Sequence, residues 1–318
     1  MLGRHFIDLR DITAADFADL LAVSRYLKAR RAQGIAETAL TGKTLAMVFE
    51  KPSLRTRVSF EVGMTELGGR AMYLSKDEVG LGVRETVADV ARVLSRYVQG
   101  IMIRTFSHEN VVQLAERGSV PVINGLSDTS HPCQALADLL TAQEHFGRVQ
   151  GLTVVFIGDG NNVARSLAEG CILAGAKFIL ACPPAYAFTP ADIAAFGPAW
   201  GATVRQLHDP VAAVRGADVL YSDVWTSMGQ EKERAERLRA FAGYQINAGL
   251  LKAAGSQARI MHCLPAKRGE EITDEAMESP ASIVFDQAEN RLHAQKAVLR
   301  LLLADDRAAV LAAARAAR

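Results

Sequence analysis

The sequence predicts an α/β fold of two domains, each a mostly parallel sheet flanked by helices. Three observations predict it. Short apolar runs alternate with helix-like stretches, and strand–helix–strand repetition implies parallel strands with helices on both faces. The alternation pauses at HPCQALADLLTAQEHFG (131–147), which is long, apolar on one side and ends in Gly, and then restarts. At 318 residues the chain is too long for one ordinary core, and the expected domain count is about two.

The elements follow in chain order. Thr13 and Asp16 form a capping-box pattern with Asp in place of Glu or Gln. Phe17, Leu20, Leu21, Ser24 and Leu27 then recur at helical spacing. KTLAMVFE (43–50) is a strand, and a helix runs from about Ser53 to Leu67. RAMYLS is the next strand, and Val87, Val90, Ala91 and Leu94 mark a helix. GIMIRT and VPVING are buried strands separated by the helix HENVVQLAERG. Segment 131–147 is a helix bridging the domains. LTVVFIGDG restarts the pattern as a strand entering a glycine turn, followed by the helix NNVARSLAEGCILAG. KFILACP, TVRQLHD, VLYSDV and RIMHCLP are further short strands. The Ala- and Leu-rich stretch from Glu289 to Arg318 contains no Gly or Pro and reads as helix.

Composition excludes several classes. With 36 basic and 35 acidic residues there is no net field to draw nucleic acid or an anionic membrane, so any anion site must be local. No apolar run approaches the ~20 residues that span a bilayer. The four cysteines show no CxxC pair, which suits a reducing compartment, and MLGRHFIDLR lacks a signal-like apolar region. A cytoplasmic protein is expected.

The polar motifs all fall at strand ends, where open α/β sheets bind ligands. KPSLRTR (51–57) follows a strand and opens a helix, whose free N–H groups, with hydroxyls and guanidinium forks, can cradle phosphate. A solvated basic loop capped by Ser53 fits the same residues. Arg104, just after an apolar strand, can polarise an oxygen or pair at a sheet edge. DTSHPCQ (128–134) and HCLP (262–265) together hold two histidines and two thiols. Neither spacing resembles a structural zinc site, so no metal is expected. A Cys–His nucleophile and a histidine donating to a carbonyl oxygen both remain open. VFIGDGNNVARSL (155–167) resembles a dinucleotide turn, but KFILACPP lacks the acidic residue that NAD binding needs. The glycines then serve helix–strand packing and let Asn161 or Asn162 face a ligand. In SDVWTSMGQE (222–231), Asp223 and Ser227 suit either an amine site or a capping turn.

Together SLRTR, MIRT, SHPCQALADLLT, GDGNN, DVWTSMGQE, MHCLPA and AENRLHAQKAV resemble the ordered signature of the ornithine carbamoyltransferases, over nearly the whole chain. The resemblance implies transfer of the carbamoyl group of carbamoyl phosphate to L-ornithine, giving L-citrulline and phosphate, in arginine biosynthesis or catabolism. It implies a site between the two domains, a homotrimer or a multiple of it, and no metal or organic cofactor. Residues 1–134, joined by a C-terminal helix of about 290–318, are then expected to bind carbamoyl phosphate. Residues 135–149 would link, and 150–289 would bind ornithine.

Carried over by motif, Ser53, Leu54, Arg55 and Thr56 hold the phosphate, and Arg104 bridges phosphate and carbonyl oxygen. His131 donates to the carbamoyl oxygen, and Gln134 holds the carbamoyl amide. The backbone at Cys263 and Leu264, with Arg291, closes the carbamoyl pocket. Asn162, Asp223, Ser227 and Met228 bind ornithine, the last two partly through backbone. Asp223 and Cys263 would orient or deprotonate the δ-amino group, whose free pKa is near that of Lys, ~10.4. Arg57 and Lys51 are expected to be structural, pairing with carboxylates. A transferase for N-acetylornithine or putrescine, an NAD-dependent oxidoreductase and a non-catalytic relative are the competing readings.

The sequence departs from the family pattern at three places. Leu54 stands where many members have Thr, which is harmless if that position acts through its N–H. Lys267 stands where His is common. Gly80 lies about where relatives place a side chain that reaches the neighbouring subunit, a contact that Lys76 or Arg84 would have to supply.

Overall fold

In the computed structural model, residues 3–317 are described. The chain divides into two compact units, Met1–Leu140 with Glu289–Arg318, and Thr141–Ala288. Residues 1, 2 and 318, at the ends of the expected first domain, lie outside the described residues.

The first unit carries β1 (Thr44–Phe49), β2 (Arg70–Ser75), β3 (Gly100–Arg104) and β4 (Val122–Leu126), in the order β2-β1-β3-β4. All three pairings are parallel. Ala46, Val48, Ile101, Ile103 and Val122 face the helices Val87–Tyr97 and His108–Arg117 through Val90, Ala91, Val111 and Leu114. Full burial of each Val, Ile or Leu stabilises by about 1.5–3 kcal/mol relative to exposure. The helix Ala14–Ala32 begins with the Thr13–Asp16 capping box, in which the Asp16 carboxylate accepts from the Thr13 N–H at 3.2 Å.

The second unit carries β5 (Thr153–Ile157), β6 (Lys177–Ala181), β7 (Val204–Leu207), β8 (Val219–Ser222) and β9 (Arg259–His262), in the order β7-β6-β5-β8-β9. These pairings are again all parallel. Its core packs Val155, Ile157, Ile179, Leu220 and Ile260 against Trp225, Phe241 and Ile246.

Every strand expected from the sequence is present, with ends within a few residues. The C-terminal stretch differs. Its helix starts earlier, at Val284, ends at Leu303, and is followed by a separate helix, Arg307–Ala316. The interruption falls at Asp305 and Asp306. Lys43 donates to the Leu303 carbonyl at 2.6 Å and pairs with Asp305, while Arg300 pairs with Asp306 at 2.7 Å. These ion pairs hold the aspartates in a turn, where their weak helix preference is no cost.

Candidate active site

Both units place their polar motifs where the strand order reverses. In the first, β1 is flanked by β2 and β3. The ends of β1 and β3 therefore form a switch point, the usual ligand position of an open parallel sheet.

KPSLRTR occupies the end of β1. Ser53 is the N-cap of the helix Leu54–Glu66 and accepts from the Thr56 N–H at 3.3 Å. Leu54 is 74% exposed, so its contribution at this helix start is its N–H. Thr56 is fully buried, and its hydroxyl receives Ser53 Oγ at 3.2 Å, Arg291 Nη2 at 3.2 Å and Arg104 Nη1 at 3.5 Å. Arg104 ends β3 at a break in register: Ile103 pairs opposite Asn124, but Arg104 opposite Leu126. Gly125 is the extra residue of this bulge, a device that re-aims a side chain at a strand end. A Cβ there would sit 2.6 Å from Met102 Sδ and 3.1 Å from the Ile103 carbonyl oxygen.

His131 immediately precedes the helix Pro132–Phe146 and is buried. Burial, and then the charges of Arg291, Arg104 and Arg55, hold its pKa well below the ordinary 6.5. The imidazole is therefore neutral near pH 7 and has one N–H to donate. Gln134 accepts from Arg291 Nη1 at 2.7 Å and donates to Asp138 at 2.8 Å. Arg291 is held further by Gln295, whose amide oxygen, turned toward it, accepts at 2.8 and 3.2 Å. Cys133 points its thiol at the Asn124 carbonyl, and burial pushes its pKa up to about 12. It therefore presents no thiolate, and the Cys–His nucleophile is ruled out at this position.

The flanking cations behave differently. Arg57 pairs with Glu61 at 3.3 Å and lies over the Tyr73 ring at 4.2 Å. Lys51 was expected to pair with a carboxylate, but it lies over the Phe106 ring at 3.9 Å. Burial, then the charge of Arg104, lowers its pKa, with Asp128 opposing. Gly80 is a left-handed helix C-cap with φ 58°, where a Cβ would stand 2.8 Å from Arg84 Cβ. The local turn therefore requires glycine.

In the second unit the switch point lies between β5 and β8. GDGNN follows β5. Asn161 caps the helix Asn162–Ala174, accepting from Val163 and Ala164 N–H groups at 3.0 Å each. Its amide donates to Asp223 at 3.0 Å, and Asn162 is the half-buried first residue of the helix. Gly160 donates its N–H to the Tyr186 carbonyl, and a Cβ there would meet the Phe188 backbone nitrogen at 3.1 Å. The close approach that glycine allows is thus taken by the chain's own backbone, leaving no room there for a pyrophosphate.

Asp223, just after β8, is the centre of this cluster. Its Oδ1 accepts from the Cys263 thiol at 3.1 Å and from the Val224 N–H at 2.8 Å. Leu264 follows with φ 55°, a left-handed conformation rare for a branched residue. Its N–H donates to His262 Nδ1 at 2.9 Å. The other ring nitrogen faces the buried Glu271 at 3.1 Å, so a neutral His262 carries its proton on Nε2.

Sequence reasoning missed Arg237. Its Nη1 donates to Asp159 at 2.7 Å and to the Trp225 carbonyl at 3.1 Å, and its Nε donates to Glu233 at 2.9 Å. It thereby ties the glycine turn to the DVWT turn. Trp225 anchors the latter by stacking on Phe241 at 5.6 Å. Beyond it, the Ser227 N–H donates to Gln230 Oε1 at 3.0 Å, and Met228 is 51% exposed. The Gly229 N–H donates to both Glu231 oxygens. That hydrogen bond, and more weakly the charge of Lys267, lowers the Glu231 pKa. Among the described residues no cluster of three His, Cys, Asp or Glu is placed to hold a metal ion.

Asp138 also escaped notice, although it lies four residues after Gln134 on the same helix, a spacing that brings side chains together.

The chain matches two family models. Residues 4–144 match the carbamoyl-P binding domain of aspartate/ornithine carbamoyltransferase, and residues 150–302 match its Asp/Orn binding domain. It is 51% identical to an ornithine carbamoyltransferase of Symbiobacterium thermophilum, covering 95% of this chain and 98% of the relative. Identity to the Geobacillus stearothermophilus enzyme of that name is 52%, over 95% and 97% of the two chains. The solved ornithine carbamoyltransferase of Pyrococcus furiosus superposes with a TM-score of 0.91 at 50% identity, covering 95% of this chain and 97% of that one. The chain therefore belongs to the aspartate/ornithine carbamoyltransferase family.

Proposed function

We propose that this chain transfers the carbamoyl group of carbamoyl phosphate to the δ-amino group of L-ornithine, releasing L-citrulline and phosphate. The observation that carries the reading is the set at the β1/β3 switch point. There Thr56 receives Arg104 and Arg291 at a capped helix N-terminus beside a neutral His131.

The phosphate is assigned to the N–H groups and side chains of Ser53, Leu54, Arg55 and Thr56, with Arg104. As the amine adds to the carbamoyl carbon, its C=O becomes an oxyanion. Arg104, His131 and Thr56 are donors that stabilise the developing charge, a contribution of about 2.7–4 kcal/mol for one well-placed donor. Gln134 holds the carbamoyl amide, and Arg291 closes the carbamoyl pocket. In the second unit, Asn162, Ser227 and Met228 bind ornithine. Asp223 orients the δ-amino group with Cys263 and takes its proton, since only the neutral amine attacks. The resemblance assigns the Cys263–Leu264 backbone to the carbamoyl group. The new N–C bond forms, the C–O bond to phosphate breaks, and phosphate departs among the guanidinium groups.

Arginine biosynthesis or catabolism and a homotrimer or a multiple of it belong to the same proposal and rest on the family resemblance, and a cytoplasmic site of action rests on the cysteine pattern. No described helix is long and apolar enough to cross a membrane. The test is phosphate release from carbamoyl phosphate with ornithine, N-acetylornithine or putrescine as acceptor, with citrulline identified as the product from ornithine, run beside a sizing column. Ornithine should be preferred by at least about 100-fold, since a site built around polar groups rejects analogues that leave them unmatched. Equal use of putrescine, or no citrulline, would overturn the assignment.

A further inference from the structure

We infer that Asp138 is a positioning residue that locks the Gln134 amide in one orientation and so makes the site prefer a carbamoyl over an acetyl group. The inference rests on the function proposed above.

An amide side chain can present either end to a neighbour. At Gln134 the neighbours permit one choice. Arg291 can only donate, so the atom 2.7 Å from its Nη1 must be Oε1. On the other side a carboxylate oxygen of Asp138 lies 2.8 Å away and accepts, so the atom facing it is Nε2. Gln134 and Asp138 are 2% and 1% exposed, which leaves water little access to either group. Inverting the amide would set N–H against guanidinium and oxygen against carboxylate, two repulsive contacts in a buried place. The lock comes from one helix turn: Asp138 stands four residues after Gln134 in the helix Pro132–Phe146.

The locked orientation has a chemical consequence. Arg291 takes one lone pair of Oε1, and the other remains as an acceptor of fixed direction. A carbamoyl –NH2 can donate to it, whereas an acetyl methyl cannot. A site built to accept a hydrogen bond discriminates against the analogue that lacks the donor. Arg291 is also held by Thr56 and Gln295. Removing Asp138 therefore takes away one of the two contacts that orient the amide, and loosens it, without releasing the guanidinium or dismantling the phosphate loop.

The test compares two stable ligands that differ only in –NH2 against –CH3, phosphonoacetamide and acetonylphosphonate, by calorimetry on the full chain. The wild type should prefer the amide by about tenfold, the worth of one directed hydrogen bond. In Asp138→Ala the preference should fall to about threefold or less, while inorganic phosphate affinity stays within about twofold. Asp138→Asn keeps an acceptor oxygen and should recover most of the preference. If Asp138→Ala does not fold, Asp138→Ser is read in the same way. An undiminished preference overturns the inference, and so does a parallel loss of phosphate affinity, which marks a merely structural role. The measurement needs no turnover. A wild type that shows the preference but forms no citrulline overturns the transfer reaction and leaves the lock standing.

Discussion

His131 shows what one side chain gains from its surroundings. Burial and three guanidinium charges each penalise the imidazolium, so its folded pKa lies well below 6.5. An unfolded histidine titrates near ~6.5. Between these values the unfolded chain binds a proton that the native chain refuses, so this group's stability contribution is present above about pH 6.5 and lost as pH falls. The loss is at most about 1.4 kcal/mol for each pH unit, the linkage slope of one proton. Urea unfolding at pH 7.5 and 5.5 should show a smaller acid destabilisation in His131→Gln than in the wild type. Identical pH dependence in the two would refute a neutral buried His131. The residue types of the site were legible in the sequence because strand ends and a helix start expose them together. Their states were not. The inert Cys133 depends on burial, against the charge of Arg291, while the neutral His131 and the oriented Gln134 depend on Arg291 as well, which lies 157 positions after Gln134.

Elements were legible to the extent that their signals are local. Strands of five or six residues between helical periods announce themselves, and so does the Thr13–Asp16 cap. The β4 bulge does not, because VING reads as an ordinary strand and the extra residue is defined only by its register with β3. That bulge is where element geometry meets chemistry, since it lies beside Arg104. Gly125→Ala should cost about 1–3 kcal/mol in urea unfolding, the usual penalty of overpacking, because the Ile103 backbone cannot yield as the Met102 side chain can. It should also raise the KM for carbamoyl phosphate by displacing Arg104, while the KM for ornithine stays near that of the wild type. A stable variant with unchanged kinetics would show that the bulge does not aim Arg104. The break at Asp305 and Asp306 was missed for a similar reason, as it depends on Lys43, 262 positions earlier in the chain.

At the scale of the whole molecule, the same architecture is used twice for opposite electrostatic ends. Each unit puts its polar residues at the switch point of a parallel sheet, on the turns after its first strand and the strand where the order reverses. In the first unit those turns carry Arg55, Thr56 and Arg104, suited to an anion. In the second they carry Asn161 and Asp223, suited to an amine. A chain of net charge +1 can therefore serve a dianion and a cationic amino acid without a global field favouring either. This division makes a sharp prediction. Asp223→Asn keeps the shape of the side chain and its acceptor for Val224, but it loses the carboxylate that Asn161 and Cys263 address. Citrulline formation should drop by about 100-fold or more, the scale of a lost general base. Inorganic phosphate, titrated calorimetrically, should bind within about twofold of wild type, because the residues proposed to hold it, Ser53 to Thr56 with Arg104, belong to the other unit. A parallel loss of phosphate affinity would mean that the two units do not divide the substrates between them. Unaltered turnover at saturating ornithine would remove Asp223 from the chemistry.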